Sequence, residues 1–331
     1  MAWAQVYTHF AQMFIVEETV QDTYEEQAVG QADAILVEIS DSPFNPTGRA
    51  NYETTNTRGD NLQHDEVPGH GPYEMTFRIP MRGSGDTGPT TEPEFTEALK
   101  ACGLVYAAGP PQTYIPTSTH DGAGSNPGTS YSLTLLDGGA SYKVAAAFGN
   151  VVFTGEAGMP MFAEFTFTGS PAAVSADALE TLTYDTVVAP LFKGASFSTN
   201  FGGAYVPQGI ASFSLDLGNN VVYVDDVNAA EGGYARIRGR KSVGSFESDG
   251  AAIGTQAWYG IYEAATAGTI TTGTVGGTAG NQWKIDVARC TIRPPEMGAL
   301  DNIRRITNTF AVSSATTDVE DTNADITISF T

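Results

Sequence analysis

Basic residues are scarce: 16 Lys and Arg stand against 38 Asp and Glu in 331 residues, a formal net charge of −22. That balance excludes a protein that grips duplex DNA, because such affinity rests on clustered Lys and Arg displacing counterions from phosphates. Cysteine is almost absent too. Cys102 and Cys290 form neither a C-x-x-C pair nor a metal-binding cluster, and two thiols cannot build a disulfide scaffold, so free thiols in a reducing cytoplasm are expected. No run approaches the ~18 apolar residues of a membrane helix. The start, Met1-Ala2-Trp3-Ala4-Gln5-Val6-Tyr7, lacks a base ahead of an apolar run and does not read as a signal peptide. Nucleophile and phosphate motifs are missing as well, with no G-x-S-x-G elbow, P-loop or H-E-x-x-H. These absences predict an unexported protein that is not an enzyme and needs no cofactor.

What is present points to strands. At 41% hydrophobic and 10% aromatic the chain is too apolar for a disordered acidic polymer, and its length suggests two domains. Thirty-seven glycines with frequent Val, Thr, Tyr and Phe favour a mainly β fold with tight turns. Residues 1–30 show no sustained period and read as an N-terminal arm. A first strand follows at Ala34–Ile39, then a polar loop over 41–72, rich in Pro, Gly, Asn, Thr and Asp and longer than a hairpin requires. In Tyr73–Ile79 the residues Tyr73, Met75, Phe77 and Ile79 share one face. Residues 93–102 read as a short helix, with Pro93 near its start, an apolar stripe of Phe95, Ala98, Leu99 and Cys102, and Gly103 as the stop. Further strands are expected at Ser130–Leu136, Tyr142–Phe148, Val151–Thr154 and Met161–Thr168. The small, polar stretch 171–189 reads as a connector, which divides the chain into a first β domain at 31–170 and a second at 190–331. The second series includes Ala211–Leu217, Val221–Val224, Tyr234–Arg240, Trp283–Val287 and Ile326–Phe330.

A weak repeat relates the two series. Asp65-Glu66-Val67, Tyr73 and Gly83 run parallel to Asp225-Asp226-Val227, Tyr234 and Gly244 at offsets of 160 and 161, while Tyr142 and Gly158 run parallel to Trp283 and Gly298 at 141 and 140. The order is preserved and the offset changes once, near the helix of the first half, as a duplication requires.

Other constellations carry bland readings. Gly83–Gly88 matches G-x-G-x-x-G after a strand, yet Pro89 and Pro93 interrupt the helix that a dinucleotide would need, so a turn is expected. His64, Asp65, His70, His120 and Asp121 sit in Gly/Pro-rich segments that do not hold metal ligands rigidly. Arg58-Gly59-Asp60 reads as a turn within the long loop, and the pairs Glu17-Glu18, Glu25-Glu26 and Asp225-Asp226 arise by number alone among so many acids. Arg236, Arg238 and Arg240 share one strand face beside Lys241. A nucleic-acid site is one reading of this cluster; in so acidic a chain, pairing with carboxylates of a neighbouring subunit is the favoured one. Arg58, Asp60, Asp65, Glu66, Asp225 and Asp226 are the other candidate inter-subunit contacts.

In pattern, the chain resembles the major tail tube proteins of long-tailed bacteriophages. The resemblance is carried by Ile15-Val16-Glu17-Glu18-Thr19 with Thr23-Tyr24, by Ala32–Val37, by Thr57–Asp60, by Pro72–Gly85 and above all by Phe95–Leu104; Ser212–Asn220 and Gly232–Gly244 are similar to elements of a second tube domain. It implies two tandem β-sandwich or barrel domains with a flanking helix, three chains per pseudo-hexameric ring, and stacked rings forming an acidic-lumen conduit for the genome. It also implies assembly in the host bacterial cytoplasm into the virion tail. The implied partners are other copies of the chain, tail tip or baseplate and terminator proteins, and a tape-measure protein and transiting DNA held loosely in the lumen, with no membrane. The loop 41–72, the arm before Gly30 and Asn200–Gly209 are candidates for contacts between stacked rings. The alternatives are another ring-forming β component of a virion or secretion tube, and a glycan-cleaving enzyme with paired carboxylates in a cleft.

Overall fold

The computed structural model describes residues 11–26, 34–35, 37–46, 51–53, 66–69, 71–87, 91–109, 111–116, 129–180, 187–202, 206–207, 209–229, 232–249, 257–300, 303–313 and 325–331. Strand makes up 58% of it and helix 5%, so the fold is mainly β. The alternation read from the sequence explains the best-defined strand. Tyr73, Met75, Phe77 and Ile79 are all buried, and Phe77 stacks on Phe165 and Phe167 of the neighbouring strand at ring distances of 5.3 and 5.7 Å.

The strands are antiparallel and fall into two runs with the same order. The first run reads Ala34–Ile35, Ala11–Glu17, Tyr131–Asp137, Ala140–Glu156, Phe162–Ser175, Tyr73–Pro80 and Glu38–Pro46. The second reads Val206–Pro207, Ser198–Asn200, Ala267–Thr271, Trp283–Ile292, Ile303–Val312, Val243–Asp249 and Ile210–Asp216. Each run carries an inserted hairpin at the same point of the chain, Asn51–Glu53 with Glu66–Pro68 in the first and Asn219–Asp225 with Gly233–Arg240 in the second. A one-and-a-half-turn helix follows each, Thr96–Ala101 and Trp258–Glu263. Even a bulge recurs. Val144 and Ala147 oppose Leu133 and Tyr131, and Val287 and Cys290 oppose Ile270 and Gly268, an extra residue in the same strand both times. A shared order, insertion, helix and bulge mark two copies of one topology in tandem.

The copies are joined into one sheet system rather than set apart. Ala140–Glu156 pairs along its first half with Tyr131–Asp137, while Val152–Glu156 pairs with the second copy's Ile210–Asp216. At the other end Ile326–Phe330 lies between Trp283–Ile292 and the first copy's Gln112–Pro116, which itself pairs with Leu104–Ala107. Most buried apolar side chains of both copies accordingly belong to a single cluster.

Several expectations need correction. The arm at 1–30 contains the strand Ala11–Glu17, hidden because Gln12, Met13, Phe14 and Ile15 are all buried and give no alternation. Strand Glu38–Pro46 runs into the supposed loop 41–72, which also holds the inserted hairpin. The helix begins at Thr96 rather than 93, since Thr96 N–H and Oγ1 both bond to Pro93 O and hold 93–95 in a turn. Strand Phe162–Ser175 extends into the supposed connector. The expected pairing of repeat residues slips: the counterpart of Tyr73–Pro80 is Val243–Asp249, so Tyr73 does not match Tyr234 nor Gly83 Gly244, and Gly158 is a turn glycine at φ +84 while Gly298 lies within Glu296–Leu300. Short Gly- and Tyr-containing words recur too readily to fix a register.

Candidate functional site

The inserted hairpin of the second copy lies across the sheet of the first. Phe148 packs with Ala235, Ile237 and Val221. Around this apolar patch Asn219 donates Nδ2–H to Cys102 O and Gly149 O at 2.6 and 3.0 Å, and the buried Ser170 Oγ donates to Gly233 O. Arg236 completes the seam. Its Nη1 and Nη2 donate to the two Asp22 carboxylate oxygens at 2.9 and 2.8 Å, a two-pronged pair, with the guanidinium 4.3 Å from the Tyr234 ring and 5.6 Å from Phe148. Asp22 occupies the left-handed region at φ 61, which Asp tolerates better than most residues.

Beneath this pair sits Glu18, fully buried at the bulge. Its carboxylate accepts from Ser132 Oγ and Ala146 N, both at 2.8 Å, and from Ser130 Oγ. Burial pushes the Glu18 carboxyl above its usual range and nearby Asp22 adds to that, against the pull of the three hydrogen bonds. Ala146 reaches it by taking φ 51 in the bulge.

The basic cluster thus faces inward more than expected. Arg236 and Arg238 share a face, opposite buried Ala235 and Ile237, but an extra residue between Ile237 and Arg240 puts Arg240 opposite Asn219 and out of step with them. Arg236 pairs with Asp22 of its own chain, and Arg240 is half-buried near Asp325, with desolvation lowering its pKa. Only Arg238 of the three is exposed. Arg236 has its partner 214 residues away in sequence, out of reach of local reading. Asp225 is exposed at the hairpin end and Asp226 Oδ1 accepts from Asn228 N at 2.9 Å, tightening the turn. Glu66 opens Glu66–Pro68, while Arg58, Asp60 and Asp65 lie outside the described residues, as do His64, His70, His120 and Asp121. Among the described residues no group of three His, Cys, Asp or Glu is placed to hold a metal. The described part of the glycine motif, 83–87, is a turn docked on the second copy, with Gly83 N donating to Asn281 Oδ1 at 3.0 Å and Gly85 N to Gly280 O at 2.9 Å.

Two strands complete the site, and sequence reading passed over one of them. Glu296–Leu300 pairs only with Ile303–Val312 among the described residues, and its Met297 is 56% exposed. Glu38–Pro46 likewise has one described partner, Tyr73–Pro80. These are the positions that, at the junction inside the chain, are filled by Val152–Glu156 and Ile210–Asp216 pairing with each other. No family model and no curated protein matches the chain. Among the described residues no helix is long and apolar enough to cross a membrane.

Proposed function

We propose that the protein is a structural ring subunit, a tandem-domain tail tube protein whose copies close three to a ring and stack into the conduit of a phage tail. The observation that carries this reading is the internal junction. One copy of the topology already joins the next, edge to edge, through Val152–Glu156 and Ile210–Asp216. The corresponding edges, Glu296–Leu300 and Glu38–Pro46, have no second partner among the described residues. An open edge is an aggregation hazard unless something covers it, and another chain repeating the internal joint covers both. Pro43 and Pro46 lack backbone donors and, three residues apart, cannot both turn to the same side of the strand, so at most one donor is missing from the open edge. Contacts of this head-to-tail kind close into rings when their rotation permits. The charge of −22 suits a channel for a polyanion, because an acidic wall offers phosphates nothing to hold. In this reading the protein is assembled in the host cytoplasm and resides in the virion tail, bounded by tip and terminator proteins.

Negative-stain microscopy with light scattering tests the reading. Hollow rings or tubes of three chains per layer are expected, and Met297→Asp should suppress them. A strictly monomeric protein at high concentration, unchanged by tail-tip extract, overturns it.

A further inference from the structure

The internal junction has two parts, an edge ladder and a hairpin laid over the sheet, and the second part also has an unfilled counterpart. The recurring bulge sets the equivalence: Ala146 corresponds to Arg289, Phe148 to Thr291 and Asn150 to Arg293. In the first copy this surface is sealed, with Phe148 and Ser170 buried under the hairpin of the second copy. In the second copy the same surface lies open: Thr291, Ala311 and Ser313 are partly exposed, and Arg289 and Arg293 are exposed. The hairpin Asn51–Glu53 with Glu66–Pro68 occupies the same place in the topology as the hairpin that does the sealing, and like it forms a separate two-stranded sheet.

Resting on the ring reading above, we infer that the first-copy hairpin of one chain docks on the Arg289–Thr291–Arg293 surface of the next. The occupant is a second copy of this chain. Charge supports the match: residues 51–68 include four acids, Glu53, Asp60, Asp65 and Glu66, and one base, Arg58. The sign of the seam is reversed relative to the internal one, where the hairpin brings the cation, Arg236, and the sheet side brings the anion, Asp22. That reversal makes the two joints non-interchangeable. An Arg236-type hairpin placed on Arg289 and Arg293 would set cations against cations, while an acidic hairpin placed beside Asp22 and Glu18 would set anions against anions. Like-charge juxtaposition of this kind rejects wrong partners, so the alternation of first and second copies around a ring is enforced by charge as well as by covalent linkage.

The test is a charge swap read as the concentration at which rings appear by light scattering. Arg289→Glu with Arg293→Glu, and separately Glu53→Lys with Glu66→Lys, should each raise that concentration about tenfold or more, and the fourfold variant should return to within about threefold of wild type. Arg289→Lys with Arg293→Lys should assemble nearly as wild type does, and circular dichroism of each variant checks that the fold persists. Normal assembly by both reversed variants, or a fourfold variant no better than either, overturns the docking while leaving the ring reading intact. A wild-type protein that never assembles overturns both.

Discussion

Breaking the Arg236–Asp22 pair should loosen the seam between the two copies by a measurable and cooperative amount. Both side chains are roughly a quarter exposed, 28% and 23%, which places the pair between the exposed ion pairs worth ~0.2–1 kcal/mol and the hydrogen bonds to charged groups worth ~1.5–3 kcal/mol. Two parallel bonds in good geometry and the Tyr234 ring at 4.3 Å favour the upper part of that interval. Arg236→Met, which keeps the stem and loses the fork, should therefore cost about 2 kcal/mol. At the other end Asp22→Asn is the better choice than Asp22→Ala, because φ 61 penalises Ala for reasons unrelated to the pair; it should cost about 1 kcal/mol. The double variant should cost clearly less than the sum, with a coupling near 1 kcal/mol. Urea unfolding of dilute protein, followed by fluorescence of the buried Trp258 and Trp283, gives the global value. Amide exchange in 219–240 detects the case in which the hairpin lifts off alone. A coupling under about 0.3 kcal/mol together with unchanged exchange would refute the account of the seam.

Three further outcomes follow from the same structure. Glu18 has its pKa raised by burial above its ordinary 4.5, so the folded state holds the proton more tightly than the unfolded one. Its contribution is fully present below that ordinary value and is lost as pH rises through the folded pKa; Glu18→Gln should flatten this part of a stability–pH curve, and an unchanged slope would sink the assignment. At Gly83 an added Cβ would stand 2.2 Å from Gly280 O, backbone against backbone, so Gly83→Ala should lower stability by about 1–3 kcal/mol in thermal or urea melts, whereas Gly298→Ala, with open space around it, should be nearly neutral. Both thiols are buried and shifted upward by desolvation, Cys290 to about 12, so Ellman's reagent should titrate neither until urea unfolds the chain.

The sequence made some of this legible and hid the rest for physical reasons. Tyr73–Pro80 and Ile326–Phe330 alternate because one face of each meets the core. The stripe of Phe95, Ala98, Leu99 and Cys102 is buried as its spacing required, and Gly103 ends the helix at φ +76. Ala11–Glu17 escaped notice because strands buried on both sides do not alternate. The second helix escaped because Gly260 interrupts it and neither end has a side-chain cap. The duplication was visible as order but not as register, since registers are fixed by ladders and bulges rather than by matching words. Least legible was the seam: nothing near Arg236 in the sequence points to Asp22, and Arg289 and Arg293 acquire meaning only once Ala146 and Asn150 are known to be their counterparts.

The pairing of Tyr114 with Ile328 has a consequence for how the chain is made. Leu104–Ala107 and Gln112–Pro116 leave the ribosome early, whereas the strand that covers their outer edge emerges only after the whole second copy has been translated. At ~5–20 residues per second, that edge waits on the order of ten seconds or more beside the nascent edges of neighbouring polysomes. Chains cut short before Ile326 would carry the open edge for good. Emergence of Ile326–Phe330, rather than folding of either copy alone, is what retires this sticky intermediate.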